Sequence, residues 1–325
     1  MARRGDSIGY GFAVGRVMVL RTRLLNRATY ERLLDAPTLS EQKRVLSETH
    51  FGRFIEGVRT ASEIERAVDE SLRDLYEDFL ERAGLPAAVV AYFRTGYDFA
   101  ALKGVLKARV LGVEAEFPPV ALGSRPLDAF KEPELLPGEL GRTAAAVLAA
   151  DPVPDAESVD AEVDRAMFSE LARFARTSRI ELLVRLAERE SDIANAKILL
   201  RCAIARRSRG AASGMLVPGG RWNAAGALEL VARPQELAEA VIVARVLPAA
   251  PAEELLDPAR LDILSDAAIA RLASEAAHMP IGPEPVLGYV LARRAEAVSV
   301  RSVLVGRLAG VPRDVVAGRL RGAAS

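Results

Sequence analysis

Three stretches of this chain repeat one order of residues: an acid, a base five positions on, then an apolar pair starting two positions after the base. They are Asp98, Lys103 and Val105–Leu106; Asp192, Lys197 and Leu199–Leu200; Glu296, Arg301 and Val303–Leu304. The acids are 94 and 104 residues apart. A second set is Asp69, Asp164 and Asp266. Each follows by four residues an acid that is itself preceded by an apolar residue, with steps of 95 and 102. Pro37, Pro133 and Pro234 form a third, with steps of 96 and 101. The first-to-third offsets are 198, 197 and 197. Agreement to one residue among three sets predicts a unit of about 100 residues present three times, and such a period constrains the fold before any local reading does.

Breaker-rich stretches give the boundaries. Phe117-Pro-Pro through Gly123 separates the first unit from the second, and SRGAASGMLVPGGRW the second from the third. The predicted domains are residues 1–116, 117–216 and 217–325. Each holds a long amphipathic helix. In 62–82, Ile64, Val68, Leu72, Leu75 and Phe79 make one apolar stripe; in 158–177, Val159, Val163, Met167, Leu171 and Phe174 make another; 259–278 is the third. Consecutive helices follow, at 86–97 and 98–110, 180–187 and 192–206, and 284–294 and 296–308. Asp98 suits an N-cap or first turn there. Asp98 and Lys103 lie about 140° apart around a helix, so each is expected to pair with a neighbouring helix or unit rather than with the other.

Composition narrows the function. Ala, Leu, Val, Arg and Glu dominate and aromatics are 5%, which favours an all-α fold. Lys and Arg balance Asp and Glu at 44 each, which argues against a nucleic-acid binder. Cys202 is alone, so no disulfide framework is expected, and no run of 18 apolar residues suggests a membrane span. The basic opening MARRGDS lacks a signal-peptide apolar core. The chain reads as cytosolic, soluble or peripherally bound.

Catalytic chemistry is not legible. His50 and His278 occupy unmatched positions, and neither a metal-ligand spacing nor a nucleophile–base set can be assembled. Gly214 and Gly219-Gly220 do not make a phosphate loop, since no G-x-x-x-x-G-K-[ST] surrounds them. The expectation is a scaffold or adaptor with no catalytic residue, cofactor or metal. A generic helical-repeat scaffold with unrelated partners and a helical enzyme with a junction site remain alternatives.

The order of residues over nearly the whole chain resembles the C subunit of prokaryotic V/A-type rotary ATPases, the counterpart of eukaryotic subunit d. The resemblance is carried by Tyr10…Val14-Gly-Arg16-Val17…Leu24-Leu25, by Tyr30…Leu33-Leu34…Leu46…Thr49 and by Asp192-Ile-Ala-Asn195…Lys197 with Leu199-Leu200. It continues through Val217-Pro-Gly-Gly220 to Tyr289…Glu296…Arg301. Asn195 fits the family's pattern three residues after the acid, whereas Ala101 and Ser299 depart from it. The resemblance implies a pseudo-threefold all-α funnel, non-catalytic, present once per complex and monomeric when isolated. It would sit peripherally on the cytoplasmic face and join the central-shaft subunits D and F to the membrane proteolipid ring. Arg301, Arg307 and Arg313 are expected near the ring end.

Overall fold

The computed structural model describes residues 10–320; the MARRGDS opening lies outside them. The described residues are α-helical with short 3-10 and π segments and no strand, as composition predicts.

The chain opens with α1 (Gly11–Arg21), α2 (Arg27–Asp35), α3 (Leu39–Ser47) and the single turn α4 (Gly52–Ile55). Asn26 caps α2 by accepting from Thr29 N at 2.9 Å, and Thr38 caps α3. A full capping box starts α5 (Ala61–Asp74): Thr60 accepts from Glu63 N while the Glu63 carboxylate takes backbone N–H groups. The stripe read from the sequence is buried through Ile64, Val68 and Leu72. It then passes into a π-helical turn, Leu75–Leu80, rather than running unbroken to residue 82. The wider turn buries Leu75, Tyr76, Phe79 and Leu80 together.

There follow α6 (Ala87–Leu111), α7 (Glu139–Leu148), α8 (Ala156–Ser178), α9 (Glu181–Ile204), α10 (Arg209–Met215), α11 (Ala224–Ala227), α12 (Pro234–Val243) and α13 (Ala252–Leu255). The chain continues through α14 (Pro258–Ala277), α15 (Glu284–Leu308) and α16 (Arg313–Leu320). Three expected helix pairs are thus single long helices, α6, α9 and α15. No proline interrupts their interiors, so nothing removes a rung of the hydrogen-bond ladder. Asp98, Asp192 and Glu296 consequently sit in mid-helix, and the N-cap role expected for Asp98 is corrected.

Backbone contacts divide the chain into two bodies, residues 1–85 with 262–325 and residues 86–261. In the first, α15 packs on α1, α3 and α5, and α16 packs on α2 and α15. In the second, α6 lies along α8, and α7 covers both. Leu102, Leu106, Phe130, Ala144, Val159 and Val163 form a core there with no solvent exposure. Burying one such Leu or Val stabilises the fold by about 1.5–3 kcal/mol. These cores hold the long helices rigidly, and the mid-helix acids project from them.

Candidate functional site

The acids at the matched positions do the same job. Asp98, buried on α6, accepts from Ser124 N at 2.9 and 3.0 Å, from Ser124 Oγ at 2.6 Å and from Arg125 N at 3.2 Å. Asp192 on α9 accepts from Trp222 N at 2.8 Å. Glu296 on α15 accepts from Leu25 N. Each carboxylate therefore grips a backbone N–H. Asp98 holds the segment at Ser124, Asp192 that at Trp222, and Glu296 that at Leu25.

Two glycines make this grip possible. A Cβ at Gly123 would lie 2.1 Å from Asp98 Oδ1, and a Cβ at Gly220 would lie 2.1 Å from Asp192 Oδ1. Only glycine lets the backbone come so near. The segment held by Glu296 carries Arg23 and Leu24 just before Leu25, with no glycine there. The acid in that repeat is Glu, longer than Asp by one methylene. Gly219-Gly220, which does not read as a phosphate loop, thus has a packing role.

Lys103 and Arg301, bases of the repeat, are paired too. Lys103 Nζ donates to Asp164 Oδ1 at 2.6 Å, and Lys107 Nζ to Asp160 Oδ2 at 2.9 Å, both from α6 to α8. Arg301 on α15 pairs with Asp69 on α5. Lys197 lies on α9 and Asp266 on α14. Asn195 clips both the N–H and the C=O of Val217. Its Nδ2 donates to Val217 O and its Oδ1 accepts from Val217 N, each at 2.9 Å. The equivalent Ala101 belongs to the α6–α8 core, and Ser299 hydrogen-bonds Tyr30. Arg307 donates to Leu34 O at 2.9 Å, and Arg313 pairs with Asp35 at 2.7 Å.

Burial shapes the electrostatics. Desolvation pushes the Asp98 carboxyl above its ordinary value against the pull of its Ser124 and Arg125 donors. It does the same at Asp192 against Trp222 N–H, and at Asp69 against Arg301. Glu296 shows the largest rise of the three clasping acids. Sequence reasoning missed the gripped residues Leu25, Ser124 and Trp222, because a backbone donor leaves no residue-type signal. Gly123 and Gly220 were the visible trace at two of the three loops. It also missed that His50, at an unmatched position, lies against Glu296, with Nε2 3.4 Å from Oε2.

The described residues hold no group of three His, Cys, Asp or Glu side chains placed to ligate a metal ion. None of their helices is long and apolar enough to cross a membrane. The arrangement fastens segments to long helices. No curated protein matches the chain. The model of the ATP synthase (C/AC39) subunit family matches residues 13–319, a span that takes in Leu25, Ser124, Trp222 and all three gripping acids. The chain belongs to the ATP synthase (C/AC39) subunit family.

Proposed function

We propose that this chain is the non-catalytic rotor adaptor of a V/A-type ATPase or ATP synthase. It joins the central shaft, subunits D and F, to the membrane proteolipid ring and transmits torque for ATP-coupled H⁺ or Na⁺ transport. It stands once in the complex, peripherally on the cytoplasmic face, as three related helical domains, residues 1–116, 117–216 and 217–325, around a pseudo-threefold axis in a funnel.

The observation that carries this reading, beside the family match, is the repeated clasp. A torque-bearing adaptor has to resist shear without losing load at a free end. The grip of Glu296 on Leu25 ties the last long helix back to the first repeat. Like walls also suit a socket for a rod-shaped shaft end, and a face of lower symmetry can rest on a ring of higher symmetry without matching each ring subunit. Arg301, Arg307 and Arg313 are placed near the ring end in this reading. Arg313, half exposed beside Asp35, is the one to reverse in charge.

The test is a pull-down of the tagged chain from its native membranes, with mass spectrometry of what accompanies it. Co-recovery of the shaft subunits and the proteolipid is expected. Recovery of neither, or of an unrelated partner, overturns the adaptor reading in favour of a generic scaffold.

A further inference from the structure

The three clasps are not chemically equal. Asp98 meets backbone N–H groups and the Ser124 hydroxyl, and Asp192 meets backbone N–H. Glu296 meets an imidazole as well. Its Oε1 takes the Leu25 N–H. Its Oε2 lies 3.4 Å from His50 Nε2 and 3.4 Å from Arg293 Nε. Oε2 and the His50 Nε2 are both buried, and neither has a hydrogen-bond partner. The Glu296 side chain is only 7% exposed.

The tautomer of His50 follows from its other contact. The ring hydrogen-bonds the Arg23 backbone in the sense that favours its protonated form, so a carbonyl accepts from a ring N–H. With Nε2 turned to Glu296, that N–H is on Nδ1. Nε2 then presents a lone pair to a carboxyl oxygen that is also an acceptor. Two buried acceptors facing each other are unfavourable unless a proton lies between them.

We propose that Glu296 and His50 form a one-proton site. The carboxyl carries its proton on Oε2 and donates it to His50 Nε2, while Oε1 keeps the Leu25 N–H. One buried proton then ties α15 to both the segment ending at Leu25 and the turn at His50, and this clasp, unlike those of Asp98 and Asp192, sets its carboxyl against an imidazole.

The surroundings favour the neutral pair over an ion pair. Arg293, on α15 itself, faces both groups and opposes a second positive charge on the imidazole. It is held by Ser71 of α5 at 3.0 Å and by Tyr289 OH at 3.2 Å. Tyr30 of α2 faces Glu296, and burial, followed by the charge of Glu296, raises its phenol well above the usual range. Asp69 of α5 is taken up by Arg301. In the same sense, burial lifts Glu296 to about 7 against Leu25 N–H and Arg293, while burial and then Arg293 lower His50 to about 3.

Counting protons gives a signature. Unfolded, His50 and Glu296 titrate at ordinary values of 6.5 and 4.5. Between those values the unfolded pair holds one proton, on His50, and the folded pair holds one, on Glu296. The counts match, so the pair adds no pH dependence to stability there. Above 6.5 the folded pair alone keeps its proton, and stability falls as pH rises through about 7. Below 4.5 the unfolded pair takes a second proton that the folded pair refuses until about 3, and stability falls again.

The full chain, labelled with ¹³C at Glu carboxyls and ¹⁵N at His, tests this by NMR across the neutral range. One Glu carboxyl titrating near 7 is expected, absent in Glu296→Gln, with His50 neutral and protonated at Nδ1 at pH 6. In Glu296→Gln an amide N–H supplies the missing donor permanently, so the fall in urea midpoint as pH rises from 6.5 through about 7 is lost. The wild-type spectra decide even if the variant does not fold. All Glu midpoints below about 5, or His50 found as an imidazolium or as the Nε2–H tautomer at pH 6, overturn the proposal.

Discussion

Lys103 of α6 reaches Asp164 of α8 at 2.6 Å, two positions that the sequence period marks independently. Arg301 and Asp69, matched to them in the repeat, meet likewise between α15 and α5. The base of one repeat thus seeks the acid of another, and Asp98 and Lys103, about 140° apart on one helix, each find a partner elsewhere. Lys103→Met is expected to cost about 1 kcal/mol, the scale of a partly exposed ion pair. A double-mutant cycle with Asp164→Asn, followed by urea unfolding, should return a coupling energy of similar size; a coupling of zero would mean that the contact contributes nothing.

Gly123→Ala puts a methyl group 2.1 Å from Asp98 Oδ1 if nothing moves. The loop or the carboxylate has to shift, at a cost of about 1–3 kcal/mol. Combined with Asp98→Ala the two changes should be less than additive, because the clash disappears with the carboxylate. Denaturant midpoints of the two single variants and the double variant check this, and strict additivity would contradict the clasp.

Asn195→Ala removes both hydrogen bonds to Val217 and leaves that backbone pair buried without partners. The expected loss is about 1–3 kcal/mol. Amide exchange at Val217 should quicken by more than at Ser124, which Asn195 does not touch. Equal changes at both sites would point to general loosening of the fold.

The raised carboxyl of Asp192 has a definite sign. A group whose proton affinity is higher folded than unfolded adds stability below its ordinary value of 3.8, and that contribution is lost as pH rises through the folded value. Asp192→Asn should therefore flatten the pH dependence of stability above pH 3.8 while lowering stability overall, through weaker acceptance of the Trp222 N–H. Thermal unfolding of both proteins from about pH 3 to pH 6 measures this window. An unchanged slope would place the Asp192 value at its unfolded one.

Leu102→Ala opens a cavity in the α6–α8 core, where Leu102 has no solvent exposure. A loss of about 2–5 kcal/mol is expected in chemical denaturation.

Much of the fold was legible because helices announce themselves by period. The stripe from Ile64 to Leu72, the long helix beginning near Val159 and the matched acids and bases all follow from spacing. What spacing does not carry is continuity. Asp98 reads as a helix start, since an acid suits the positive end of a helix, yet α6 runs through it. The carboxylate there serves a loop instead of its own backbone. The π turn after Asp74 is likewise invisible to a fixed 3.6-residue period. The grip on Leu25, Ser124 and Trp222 uses main-chain N–H, which every residue but proline owns. His50 gave no sign in the sequence, because its partner Glu296 lies 246 positions away.

The central claim is mechanical coupling, and the most direct measurement is ATP-driven ion transport in membranes depleted of this chain and then resupplied with it. The account predicts that ATP hydrolysis by the catalytic head persists without the chain, that ion transport is lost, and that the purified chain restores it. Transport that continues undiminished in its absence would contradict the account.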